Sequence, residues 1–204
     1  QEGSFLLSCA GGVIATTSFN TDFEEYSGEA YEIILSNLKG GHSGLKINRQ
    51  RANALKLMGR ILFKLSKDME IRIATISGGT RHNSIAREAK AVITIHPDFS
   101  GKMQEMLNSM IVDFKNEYAP EDPDIQLEIK VTEAKRLISE ECTERIIDYM
   151  VAVPDGIQCM SRDIENLVIS SLNLGKLEEQ EGKIIFTHLI RSSIKSLKEE
   201  LQDS

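Results

Sequence analysis

The chain has no tryptophan, and aromatic residues make up only 5% of its 204 residues. A core built from it must rest on Ile, Leu, Val, Met and Ala. It has no long basic block, and its formal net charge is −7. Nucleic-acid surfaces need clustered Lys and Arg to displace phosphate counterions, so nucleic-acid binding is not expected as the main function. The one local basic cluster, Lys46, Arg49 and Arg51, reads as a solvated helix start. No stretch approaches the ~20 apolar residues needed to span a bilayer, and there is no signal peptide, so no membrane partner is expected. The cysteines are Cys9, Cys142 and Cys159. Their odd number and their spacing give neither a disulfide framework nor a metal site, which points to a reducing compartment. HExxH, CxxC and paired Asp/Glu/His sets are all missing, so no complete metal site is expected in this chain. There is no low-complexity segment and no linker rich enough in Pro, Gly or Ser to separate domains. The sequence opens QEGSFLLSCAGG without a Met, on a strand-like run over 3–9, as a piece cut from a longer protein would.

What is present is ordinary globular material: 41% hydrophobic and 27% charged residues, in a length that suits one large domain or two small ones. A second extended run covers 13–19, and YEIILSNL (31–38) is rich in β formers. ANALKLMGRILFKLS (52–66) places Ala54, Leu57, Met58, Ile61, Leu62 and Leu65 at helical spacing. IRIATIS (71–77) and AKAVITIHP (89–97) alternate as half-buried strands. A helix follows Pro97-Asp98, with Met103, Met106, Leu107, Met110, Ile111 and Phe114 on one face, and ends at Pro120 and Pro123. IQLEIKVTEA (125–134) is another strand. Residues 30–134 thus read βαββαβ, the ferredoxin-like pattern of an antiparallel sheet with helices on one face. The expectation is an α+β two-layer sandwich. It is extended by a helix at 139–152, two strands near 166–174 and 183–191 joined by the turn EEQEG (178–182), and a C-terminal amphipathic helix.

Three constellations carry candidate chemistry. LKGGHSGL (38–45) surrounds His42 with Gly40, Gly41, Ser43 and Gly44 at a strand-to-helix corner. It lacks the spacing of a phosphate loop. It offers one imidazole that can donate to a developing oxyanion; equally, it is a tight turn with an incidental surface histidine. SGGTRHNSIAREA (77–89) ends a strand at Gly78 and Gly79 and places Asn83 in a loop. That Asn can orient a peptide carbonyl or simply cap a turn. THLIRSS (187–193) puts Arg191 after an apolar strand end. Its guanidinium can clamp a carboxylate or lie on the surface.

Taken in order, CAGG (9–12), LKGGHSG (38–44), RANALKLMGRIL (51–62), GGTRHNSIAREA (78–89), PDGIQCMS (154–161), SLNLG (171–175) and LIRSS (189–193) resemble the aminoacyl-histidine (Xaa-His) dipeptidases. These belong to the zinc exopeptidase superfamily that includes carnosinases and carboxypeptidase G. The likeness covers nearly the whole chain and implies a lid or dimerisation domain over 23–204. Residues 1–22 would then be a remnant of the last catalytic-domain strand and its connection. It implies two zinc ions held in the catalytic domain of the same polypeptide, with their ligands outside this chain and none within it. It also implies a cytoplasmic homodimer acting on dipeptides, with this fragment inactive alone. By the same resemblance, His42 reaches over the dizinc site to stabilise the oxyanion, in several dimeric relatives from the partner subunit. Asn83 and Arg191 bind substrate, Arg191 through its C-terminal carboxylate. Ala86 stands where the family usually has Pro, and Leu45 and Asn48 where Gly and His are commoner, differences that bear on substrate preference. A free-standing ferredoxin-like interaction module remains the rival, because this architecture hosts many functions.

Overall fold

The computed structural model describes residues 11–203. The strand read at 3–9 and Cys9 lie outside the described residues. Ten strands and four α-helices follow in order: β1 Gly11–Asn20, β2 Phe23–Ser36, β3 Gly41–His42, α1 Ala54–Asp68, β4 Arg72–Gly78, β5 Ser84–Ile85, β6 Ala89–Thr94, α2 Ser100–Glu117, β7 Gln126–Ile138, α3 Glu140–Ala152, β8 Gly156–Met160, β9 Val168–Gln180, β10 Lys183–Ser192 and α4 Lys195–Asp203.

One antiparallel sheet holds the molecule together, in the order β1-β10-β9-β4-β6-β2-β7, with β8 also paired to β9. The segment β2-α1-β4-β6-α2-β7 is the ferredoxin-like unit read from the sequence, and β2 and β6 are its central strands. The last two long strands extend this sheet. Their junction with the unit is narrow, a single registered pair, Gly78 opposite Leu177.

Each helix forms for a local reason. Asn53 caps α1 by accepting the Leu55 N–H (3.0 Å), and Leu55, Met58, Ile61, Leu62 and Leu65 bury the face that meets the sheet. Before α2, Pro97 opens a 3-10 turn, and His96 accepts the Asp98 N–H (3.4 Å). The first turn of α3 carries Glu140 and Glu141, which complement the helix dipole. At its other end the Lys56 ammonium donates to the carbonyls of Met150 (2.6 Å), Val151 (3.1 Å) and Val153 (2.6 Å), which the helix leaves unpaired. Helices α1 and α3 approach closely at Gly59, where a Cβ would stand 2.8 Å from Met150 Cβ.

The core is aliphatic, as the composition requires. Ile33, Leu35, Ile73 and Ile93 of the sheet meet Met58, Leu62, Met103, Leu107 and Ile147 of the helices, with Phe114 and Phe186 as the largest side chains. The alternate residues Ala30, Ala74, Ala134 and Leu137 build a smaller cluster on the opposite face.

Several boundaries differ from the sequence reading. β2 begins at Phe23 rather than near 31, because a bulge between Glu25 and Gly28 carries its polar first half along β7. β6 stops at Thr94, where the Pro97 turn begins. β9 runs to Gln180, and the hairpin turn is only Glu181-Gly182, both in the left-handed region. β8 and the β3–β5 pair were not read as strands, since each is too short to show alternation. Ile47–Arg49 is a 3-10 turn, not the start of α1; Lys46 and Arg49 are exposed, as a solvated reading expects, but Arg51 is not. Arg51 is enclosed there, donating to Glu121 (3.0 Å) and to the Gly40 carbonyl (2.6 Å).

Candidate functional site

The segment 39–52 leaves the end of β2 and returns to α1. One buried carboxylate fixes both of its ends: Asp122 accepts the Lys39 N–H (2.6 Å) and the Ala52 N–H (2.9 Å). Within the segment, Gly40 and Gly41 adopt φ of 56° and 132°, values that side chains rarely adopt, so the corner needs glycine. His42 follows and is exposed. Its Nδ1 accepts the Gly44 N–H (3.1 Å), so the proton of the neutral ring sits on Nε2. Nε2–H makes no hydrogen bond among the described residues. The imidazole is thus presented as a free donor.

The second loop, 79–86, runs beside the first. Gly41 and His42 pair with Ile85 and Ser84, and the Ser43 N–H donates to the Asn83 carbonyl (3.0 Å). Gly79, with φ of 62°, lies against the carbonyl of Gly175 so tightly that a Cβ would overlap it. Arg191, on β10, completes the corner. A Cβ at Gly44 would lie 3.2 Å from Arg191 Cζ and 3.2 Å from His42 Cε1, so glycine lets these two side chains share one space.

The side chains of His42 and Arg191 therefore meet at Gly44, although 149 positions separate them (191 − 42), and the Asn83 backbone adjoins them through Ser43. The buried polar atoms reinforce the point. Ser43 Oγ, Asn173 Oδ1 and Arg191 Nε are enclosed yet have no hydrogen-bond partner, and all three belong to this corner. Folded proteins pair more than about 90% of buried polar groups, so three such atoms close together single this corner out as the candidate site. A cleft of about 590 Å³ borders His42, Lys39, Arg81 and Arg87, but neither Asn83 nor Arg191 lines it. The convergence is an open, basic surface around Gly44, not a closed pocket.

Two groups that sequence reasoning missed support the corner. Asn173 (1% exposed) donates to the carbonyls of His82 (3.1 Å) and Ser84 (3.0 Å), one on each side of Asn83. Asp155 accepts the Leu174 N–H (2.8 Å) and Asn53 Nδ2–H (3.0 Å), and burial raises its carboxyl to about 6. Asn173 lies within SLNLG and Asp155 within PDGIQCMS, but a lone Asn or Asp in a sequence does not reveal which backbone groups it will meet. Among the described residues no group of three or more His, Cys, Asp or Glu side chains is placed to hold a metal ion. No helix among them is long and apolar enough to cross a membrane.

Residues 33–122 match the peptidase dimerisation domain family, and the antiparallel sheet with its helices has the fold of that domain. The chain is thus similar to a peptidase dimerisation domain. Its sequence is 31% identical over 202 residues to the cytosol non-specific dipeptidase of Escherichia coli (strain K12), covering 98% of this chain and 42% of that protein. Its fold superposes on the crystal structure of aminoacylhistidine dipeptidase from Vibrio alginolyticus with a TM-score of 0.91 and 29% identity, covering 96% of this chain and 40% of that one. The chain thus spans about two fifths of the length of each of these relatives.

Proposed function

We propose that this chain is the lid and dimerisation domain of a cytoplasmic, zinc-dependent dipeptidase that hydrolyses Xaa-His and similar dipeptides. In this reading 23–204 form the lid, and 1–22 carry the connection from the catalytic domain. The described residues do not fit a metal, so two zinc ions would be held by the rest of the polypeptide, where they would polarise the scissile carbonyl and activate water. Every role of this chain is then one of binding and exclusion. His42 donates Nε2–H to the oxyanion that develops on the scissile carbonyl. Asn83 orients a substrate amide. Arg191 takes the C-terminal carboxylate through its fork of donors. The lid closes over the dipeptide, keeps out bulk water and pairs with a second copy, so the chain alone is inactive.

The observation that carries this reading is the meeting of His42 and Arg191 at Gly44 with the Asn83 loop bonded to the neighbouring Ser43, together with the unpartnered Arg191 Nε. The test uses the full-length polypeptide, comparing a dipeptide with the same dipeptide amidated at its C-terminus. Arg191→Met should raise KM for the free acid by about 10–100-fold, since a charge-assisted pair is worth about 1.5–3 kcal/mol. It should leave KM for the amide unchanged. An equal effect on both substrates would remove the carboxylate role.

A further inference from the structure

The sheet has a gap beside the site. β8 pairs with β9 over 168–172, and β4 meets β9 only at Leu177 on the same edge. Between them, residues 173–176 have β10 on one side and no strand on the other. Side chains and a loop take the missing strand's place. Asp155 accepts the Leu174 N–H, and Asn53 Nδ2 donates to the Leu174 carbonyl (2.9 Å), so both free backbone groups of Leu174 are held. One residue earlier, the Asn173 carboxamide brackets Asn83 through the carbonyls on either side of it. One residue later, Gly175 forms the bulge of β9 opposite Thr187 and His188. A Cβ at Gly175 would stand 2.5 Å from the His82 carbonyl oxygen and 2.7 Å from that of Arg81. Asn173 pairs with Leu189 and Ser171 with Arg191, so Asn173 and Arg191 project from the same face of adjacent strands.

We propose that Asn173 is a positioning residue: its carboxamide, on a strand fixed by Asn53 and Asp155, sets where Asn83 stands relative to Arg191. Both of its N–H donors are taken by the loop. Its Oδ1 is fully enclosed, so it acts through Asn83 rather than on substrate. A rigid ruler results, in which the span between the two substrate-binding side chains is fixed by one strand pair and one bulge. This inference rests on Asn83 binding substrate, so its test needs one measurement that does not depend on turnover.

In the full-length polypeptide, Asn173→Ala should lower kcat/KM for a dipeptide by about 10–100-fold, because small misplacements of a binding group cost that much. The double variant with Asn83→Ala should be no worse than Asn83→Ala alone, since the two residues act as one unit. Amide exchange gives the independent measurement. In Asn173→Ala, the Ser43 N–H, which donates to the Asn83 carbonyl, should exchange faster, while β10 amides paired to β9 keep their protection. If Asn173→Ala does not fold, Asn173→Ser, which keeps one donor, carries the same test. Unchanged Ser43 exchange in a folded variant, or losses that multiply in the double variant, would overturn the proposal. If Ser43 exchange quickens but Asn83→Ala is fully active, the positioning stands and the substrate role of Asn83 falls.

Discussion

Two buried groups titrate in opposite directions across the same pH range, and replacing one exposes the other. Burial holds the Asp155 carboxyl at about 6, above its ordinary 3.8. Burial holds the His188 imidazole at about 4, below its ordinary 6.5, where Tyr149 contacts its Nε2 at 2.9 Å. As pH falls, native Asp155 takes its proton before the unfolded chain does, so this group adds stability from about pH 6 downward. His188 behaves in the opposite sense: the unfolded chain takes the proton first, and stability is lost from about pH 6.5 down to about 4. At about 1.36 kcal/mol per pH unit, between pH 7 and pH 5 Asp155 gains about 1.3 kcal/mol and His188 loses about 1.8 kcal/mol. The two nearly cancel, leaving a net loss of about 0.5 kcal/mol. Asp155→Asn keeps an acceptor oxygen for Asn53 and Leu174 but cannot titrate. Its stability should therefore fall by about 1.8 kcal/mol over the same interval. Urea denaturation of the chain and the variant at pH 5, 6 and 7 measures this directly. The range lies above that of most carboxylates, so other acidic groups contribute little. A stability difference between variant and parent that does not change with pH would refute the burial of a charged Asp155.

Two other substitutions test the packing, and both are read by the denaturation midpoint. Lys56→Met should cost about 2–3 kcal/mol, because it strips the α3 carbonyls of a charged donor; an unchanged midpoint would mean that water replaces Lys56 without loss. Gly59→Ala should destabilise by about 1–2 kcal/mol even though alanine favours helices by about 1 kcal/mol, since the added methyl meets Met150 at 2.8 Å. A more stable variant would show that α1 and α3 can part without cost.

The ferredoxin-like unit was legible because period is a strong signal. Leu57, Ile61 and Leu65 repeat at helical spacing, and Ile71, Ile73 and Ile93 at strand spacing, and each of these side chains is buried. The narrow junction of Gly78 with Leu177 was not legible, because pairing between distant strands leaves no local pattern. For the same reason the sequence could not say whether β9 and β10 extend the first sheet or build another. At the site, glycines with left-handed φ mark the His42 corner, and such residues stand out in a sequence. The supports do not stand out. Asp122, Asp155 and Asn173 look like any polar residues until the fold brings backbone groups to them. Arg51 shows the converse error: it reads as part of a basic surface, but its guanidinium ties Gly40 to Glu121 inside the corner.

The most direct measurement is kcat for His42→Ala in the full-length polypeptide, with a dipeptide at saturation. Loss of one oxyanion donor should lower kcat by about 10²–10³-fold and leave KM almost unchanged. An undiminished kcat would contradict the account, since the exposed Nε2–H on its glycine corner would then have no part in the transition state.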